Sequence, residues 1–140
     1  FWSEKIGYVA ALKTLEEMEK IKSWKIITDK GYQIRKKWAR LANKYNLKIE
    51  FMGIPAISSF FIKSKNFVKY KTLITQELLK DSILASNVIY FSTKHSQTMI
   101  DKYMISLERV FKLIAECENG RNIDQLLETK ISQNFFQRLN

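Results

Sequence analysis

One cysteine, one proline, one histidine and four glycines occur in 140 residues, and each scarcity removes a class of protein. Cys117 alone can form no internal disulfide, which excludes a disulfide-stapled secreted scaffold and makes a reducing, cytoplasmic compartment the expectation. One histidine and one cysteine are too few for a zinc cluster, and the 14 acidic residues show no calcium-loop spacing. Gly7, Gly31, Gly53 and Gly120 never come together, so the sequence carries no glycine-rich phosphate loop. No apolar run reaches the length of about 18 residues that a membrane span needs, and no basic start leads into an apolar segment with a small-residue cleavage site. Internal repeats and low-complexity tracts are absent as well.

What is present is a core. Hydrophobic residues make up 46% of the chain and aromatics 13%, which is not a disordered composition and suffices for one domain. The formal net charge is +10, from 24 basic against 14 acidic residues. Ten of the basic residues fall between positions 20 and 48, where only Asp29 opposes them. Such a surface attracts polyanions, yet lysines far outnumber arginines, which suits a solvated face better than geometric phosphate recognition.

The basic segment is also the most strongly patterned. Across residues 27–45, Ile27, Gly31, Ile34, Trp38, Leu41 and Tyr45 fall on one helical stripe, while Lys30, Arg35, Lys36, Lys37, Arg40 and Lys44 occupy the remainder. Gly31 on the buried stripe costs helix propensity, by roughly 1 kcal/mol, and therefore predicts tight docking onto the preceding helix or a small sheet. Trp38, Tyr32 and Tyr45 interleave with the cations as a nucleic-acid groove would require, but Trp38 and Tyr45 are needed by the stripe.

Around this segment the pattern predicts a first helix over 4–21, with Tyr8, Ala11, Leu12, Leu15 and Met18 on one face, and a break at Ser23 and Trp24. Short strands follow over 47–52 and 56–63, joined by a Gly53-Ile54-Pro55 turn. A third helix runs to about residue 80, a third strand lies near 87–91, and a second long helix opens at Ser96 as N-cap, carrying Ile100, Tyr103, Leu107, Val110, Phe111 and Ile114. Asn119-Gly120 ends that helix. A last helix is expected over 123–135, from Leu127, Ile131 and Phe135 spaced four apart. Three strands cannot be sandwiched on both faces, so the expected fold is α+β: a small three-stranded antiparallel sheet with helices on one face, the other face short of cover.

Candidates for chemistry are few. Glu16 and Glu17 are adjacent and splay apart on a helix, offering no acid/base pair. His95, among Ser92, Thr93 and Ser96 at a helix start, can exchange protons or bind an anion, or simply brace its loop. Cys117 is expected exposed or half-buried, far from His95. A start at Phe1-Trp2, with no initiator methionine, leads us to expect that the natural polypeptide continues upstream.

Phe1-Trp2-Ser3-Glu4-Lys5-Ile6-Gly7 with Ala10-Ala11-Leu12-Lys13-Thr14-Leu15, Gly53-Ile54-Pro55-Ala56, Thr75-Gln76-Glu77 through Leu84-Ala85-Ser86-Asn87, and His95-Ser96 with Ile100-Asp101 and Tyr103 resemble the C-terminal part of glutamate-1-semialdehyde 2,1-aminomutase-like proteins. These belong to the pyridoxal-phosphate-dependent class III aminotransferases. The resemblance runs over residues 1–116.

It implies that residues 1–118 form a small C-terminal domain of the kind found in fold-type I pyridoxal-phosphate enzymes, with 119–140 a helical tail. The family's Schiff-base lysine, its aspartate at the pyridine nitrogen and most of its phosphate contacts lie upstream. The resemblance therefore places no catalytic, cofactor-binding or metal residue within the 140. It implies that the cofactor is absent from this stretch alone and that the stretch alone is inactive. The intact enzyme would be a homodimeric aminomutase or aminotransferase acting on a small amino or keto substrate, with neither nucleic acid nor membrane as partner. The small domain would close the substrate cleft and support the dimer. Phe1 to Glu4 would stand nearest the partner subunit's cofactor, and Phe60 and His95 are lesser candidates for facing the cleft. The rival readings are a stand-alone basic module for nucleic acid or another polyanion, and a non-catalytic structural remnant.

Overall fold

The computed structural model describes residues 4–132. Four helices and three strands follow in the order α1 (Ile6–Ile21), α2 (Ser23–Lys44), β1 (Ile49–Met52), β2 (Ile57–Ile62), α3 (Phe67–Lys80), β3 (Val88–Tyr90) and α4 (Gln97–Glu118), with a 3₁₀ turn over Ile123–Gln125. The fold is the α+β arrangement expected.

The sheet has the order β1-β2-β3, antiparallel throughout. Period-two alternation on β2 sends Ser58, Phe60 and Ile62 inward, where all three are buried, and Ile57, Ser59 and Phe61 outward. Trp38 of α2 meets Phe60 edge-on at 4.8 Å between ring centroids, and Phe60 meets Phe111 of α4 at 5.6 Å. These three aromatics join α2, the sheet and α4 into one core, to which α3 adds Tyr70, Leu73, Ile74 and Leu78. The indole N–H of Trp38 is satisfied inside it by the Tyr103 hydroxyl at 3.1 Å.

Helix α2 carries the expected stripe: Gly31, Ile34, Trp38 and Leu41 are buried, and Ile27 and Tyr45 half-buried. Gly31 docks on the β1–β2 turn, its Cα side against the backbone of Pro55, so of the two expected partners the sheet is the one chosen. The helix also starts earlier than the stripe suggests. The break falls at Lys22, whose left-handed backbone (φ 49°) separates α1 from α2, while Ser23 and Trp24 already belong to α2.

Ser96 caps α4 as expected, its hydroxyl accepting the Met99 N–H at 3.2 Å. The tail departs from expectation. In place of a helix over 123–135 there is the single turn Ile123–Gln125, and residues 126–132 form no helix; Phe135 lies outside the described residues. Side chains of α3 compete for that backbone. Gln76 donates to the Leu126 carbonyl at 2.9 Å and accepts the Glu128 N–H at 2.8 Å, and Thr72 accepts the Ser132 N–H at 2.9 Å. A segment whose donors and acceptors are already engaged sideways cannot close the i to i+4 ladder.

Candidate functional site

Among the described residues no helix covers the sheet's outer face. From the strand register, Met52, Ile57, Ser59, Val88 and Tyr90 lie on it, with Met52 60% and Tyr90 69% exposed. Phe61 at its margin is sheltered by Phe67, at 4.1 Å between centroids. Beside β3 a groove of about 540 Å³ opens between the strand, the segment 82–85 and the first turns of α4. Ile34, Ile89, Ile100 and Tyr103 form its floor, and Leu84, Tyr90 and Met99 stand exposed at its rim. Lys102 and His95 are its basic members, Ser82 adds a hydroxyl, and among the described residues no carboxylate lines it. An apolar cleft with few polar groups at its margin is the usual form of a ligand or docking surface.

His95 lines this groove and braces its loop at the same time. Its Nδ1 accepts the Ser92 N–H at 3.1 Å, which places the proton of a neutral ring on Nε2. Its ring edge meets Phe91 at 5.8 Å, and its carbonyl accepts the Lys30 ammonium at 2.6 Å. Lys30 also donates to the Thr93 carbonyl at 2.9 Å, so one cation of α2 fastens the whole β3–α4 connection.

Phe60, the other candidate for facing a cleft, is wholly buried between Trp38 and Phe111. It is a core residue and faces no cleft. Of Phe1 to Glu4 only Glu4, which is exposed, lies within the described residues. Cys117 is buried rather than exposed or half-buried, and burial pushes its thiol pKa up. His95 and Cys117 flank opposite ends of a 22-residue helix, about 30 Å apart by its rise, and form no pair. Among the described residues no group of three or more potential ligands could hold a metal, and no helix is long and apolar enough to cross a membrane.

Several of the cations crowded on α2 are engaged internally. Besides Lys30, Arg35 donates through Nε to Ser58 Oγ at 2.9 Å and through Nη2 to the carbonyls of Met52 at 3.1 Å and Gly53 at 2.7 Å. Lys37 pairs with Asp101 at 2.7 Å, and Lys44 with Glu108, across the α2–α4 boundary. Lys25, Lys36 and Arg40 remain exposed along the outer side.

No family model matches the chain, and no curated protein does. A solved structure does. It is described as the PLP internal aldimine form of the FumI protein of Sphingopyxis sp. MTA144, and it matches with a TM-score of 0.72 at 14% identity, over 91% of this chain and 31% of that one. The fold is shared with a PLP protein. The chain spans about a third of the length of that relative, so its layers, strands and covering helices correspond to one portion of a larger molecule. The clamp of Lys30 and Arg35 and the rim of Leu84, Tyr90 and Met99 carry no motif in the sequence. Only the alternation of Val88 and Tyr90 about Ile89, on a strand of three residues, hints at the outer face.

Proposed function

We propose that this chain is the small domain of a pyridoxal-phosphate-dependent enzyme of the aminotransferase and aminomutase group, seated over the substrate side of a larger, cofactor-holding part of the same polypeptide and working as a homodimer. The observation that carries the reading is the match of 91% of this chain to 31% of a PLP protein at a TM-score of 0.72. The uncovered outer face and the apolar groove support it, because a sheet face of this kind normally rests on something else.

A Schiff-base lysine must readily lose its proton to act as a nucleophile. The family resemblance places that lysine upstream of these 140 residues. The cofactor would therefore be held by the larger part, where its ring supplies an electron sink for chemistry at an amino-bearing carbon. The role of this chain is to cover that site, excluding water and closing on a small amino or keto substrate with the surface bounded by β3, the segment 82–85 and His95. The hydrogen bonds and ion pairs that Lys30, Arg35, Lys37 and Lys44 make within the chain weigh against a polyanion-binding module.

The test uses the longest natural polypeptide containing this stretch, reconstituted with pyridoxal phosphate. Tyr90→Asp, at an exposed position, should leave cofactor uptake intact and lower turnover of an amino donor by about 10-fold or more, as misplaced closure does. Turnover equal to that of the unaltered chain contradicts the seating of this face.

A further inference from the structure

Ser92 and His95 are bound to each other twice, across the turn that joins β3 to α4. The His95 backbone N–H donates to the Ser92 carbonyl at 3.2 Å, and the Ser92 backbone N–H donates back to His95 Nδ1 at 3.1 Å. Ser92 Oγ accepts the Lys94 N–H at 3.2 Å inside the same turn. The second of the two bonds depends on the state of the ring. Nδ1 accepts only while it carries no proton, because an imidazolium has two donors and no acceptor. A proton arriving at Nδ1 sets N–H against N–H, and a brace becomes a repulsion.

The surroundings offer that proton no partner. From α2 comes the Lys30 ammonium, which sits on the His95 carbonyl at 2.6 Å and the Thr93 carbonyl at 2.9 Å. Lys94 adjoins His95 in the turn, and Lys102 of α4 lines the same groove. Tyr90 is the titratable group that β3 brings to the groove, and the segment 82–85 brings no charge. Asp101, in the first turns of α4, is held by Lys37 at 2.7 Å and by Gln97 at 2.8 Å. His95 also directly precedes the Ser96 N-cap, at the positive end of the α4 dipole. A charged ring would thus stand among cations.

We propose that the Ser92–His95 pair is a proton-operated latch on the β3–α4 turn, closed with the neutral ring and open with the protonated one. Because His95 lines the groove beside β3, the latch sets the groove's polar margin. It is built from this chain's own residues and stands whether or not the groove faces a cofactor.

Heteronuclear NMR of the isotope-labelled chain reads the latch directly, since a single histidine gives a single pair of ring-nitrogen signals. In the neutral ring Nδ1 should be the bare nitrogen and Nε2 the protonated one. Acidification from about pH 8 to about pH 5, where imidazoles titrate, should move the Ser92 amide signal with the same midpoint as the ring. Protection of that amide from solvent exchange should fall by about 10-fold, the equilibrium worth of one hydrogen bond. His95→Asn keeps an acceptor within reach of the Ser92 N–H and cannot titrate, so its Ser92 signal should hold still over the same range. The core amides of Leu73 and Leu107 report in both chains that the fold persists. A ring that titrates while the Ser92 amide keeps its shift and its protection overturns the proposal. So does Nε2 as the bare nitrogen, or a Ser92 amide that responds to pH unchanged in His95→Asn.

Discussion

Gly31 and Pro55 touch backbone to backbone: a methyl group added at Gly31 would fall inside the van der Waals envelope of the Pro55 carbonyl. Neither atom belongs to a flexible side chain, so nothing can swing aside. The contact fixes the β1–β2 turn on the flank of α2, and with it the tilt of the sheet against the helices. Gly53, with φ at 74°, supplies the left-handed residue that the same turn requires.

Gly31→Ala is therefore expected to destabilise the protein by about 2–3 kcal/mol, although alanine is the better helix former. Gly7 has open space around it, and Gly7→Ala should be neutral or slightly stabilising. Urea midpoints for the two variants decide the matter, and a stabilising Gly31→Ala would mean that α2 does not dock as described.

Arg35 ties the same turn from the other side, with three hydrogen bonds to Ser58 Oγ and the carbonyls of Met52 and Gly53. Ser58 passes the connection on by donating to the Pro55 carbonyl at 2.7 Å. Arg35→Ala should cost about 1–3 kcal/mol. Arg35→Lys should recover less than half of that, because an ammonium cannot reproduce the planar fork. Equal stability of the lysine variant and the native chain would reduce the clamp to a simple charge effect.

Tyr70 has no exposed surface, and its hydroxyl donates to Glu118 Oε1 at 2.5 Å. Burial first, then the bond to Glu118, pushes its pKa up to about 12 from the ordinary 10.0. A group whose pKa is raised on folding contributes stability that is complete below the unfolded value and is lost as pH climbs through the folded one. The native chain should thus lose stability between pH 10 and 12, and Tyr70→Phe should flatten that part of the profile. Ser64, which also donates to Glu118 at 2.7 Å, keeps the carboxylate partnered in the variant. An unchanged alkaline slope would contradict the assignment.

Cys117 is buried at the end of α4, and burial raises its pKa. In the folded chain its thiol should react with a disulfide reagent at least about 100-fold more slowly than in urea. Rapid labelling under native conditions would show that the last turn of α4 opens freely.

The stripe of α2 was legible because four of its buried positions, Gly31, Ile34, Trp38 and Leu41, keep strict helical spacing. The hairpin was legible because a dense β-favouring run follows Gly53-Ile54-Pro55. A left-handed lysine at position 22 has no compositional signature, so the true break between α1 and α2 stayed hidden. The tail's true course is hidden because Leu127 and Ile131 keep helical spacing, while the groups that hold the backbone around them otherwise, Thr72 and Gln76, lie fifty to sixty residues away. Phe60 and Cys117 show the same gap: type and spacing place a residue on an element, but which side is covered depends on what packs there. The groove is illegible for that reason, since Ile34, Leu84, Tyr90 and Met99 come together only through the fold.

The most direct measurement is the absorbance spectrum of the longest natural polypeptide containing this stretch, purified with pyridoxal phosphate and then given an amino donor. The account predicts a cofactor band that is absent from the 140-residue chain alone, is retained through gel filtration and shifts when the donor is added. A full-length polypeptide that takes up no cofactor would contradict it, and would return attention to the exposed cations Lys25, Lys36 and Arg40 on α2.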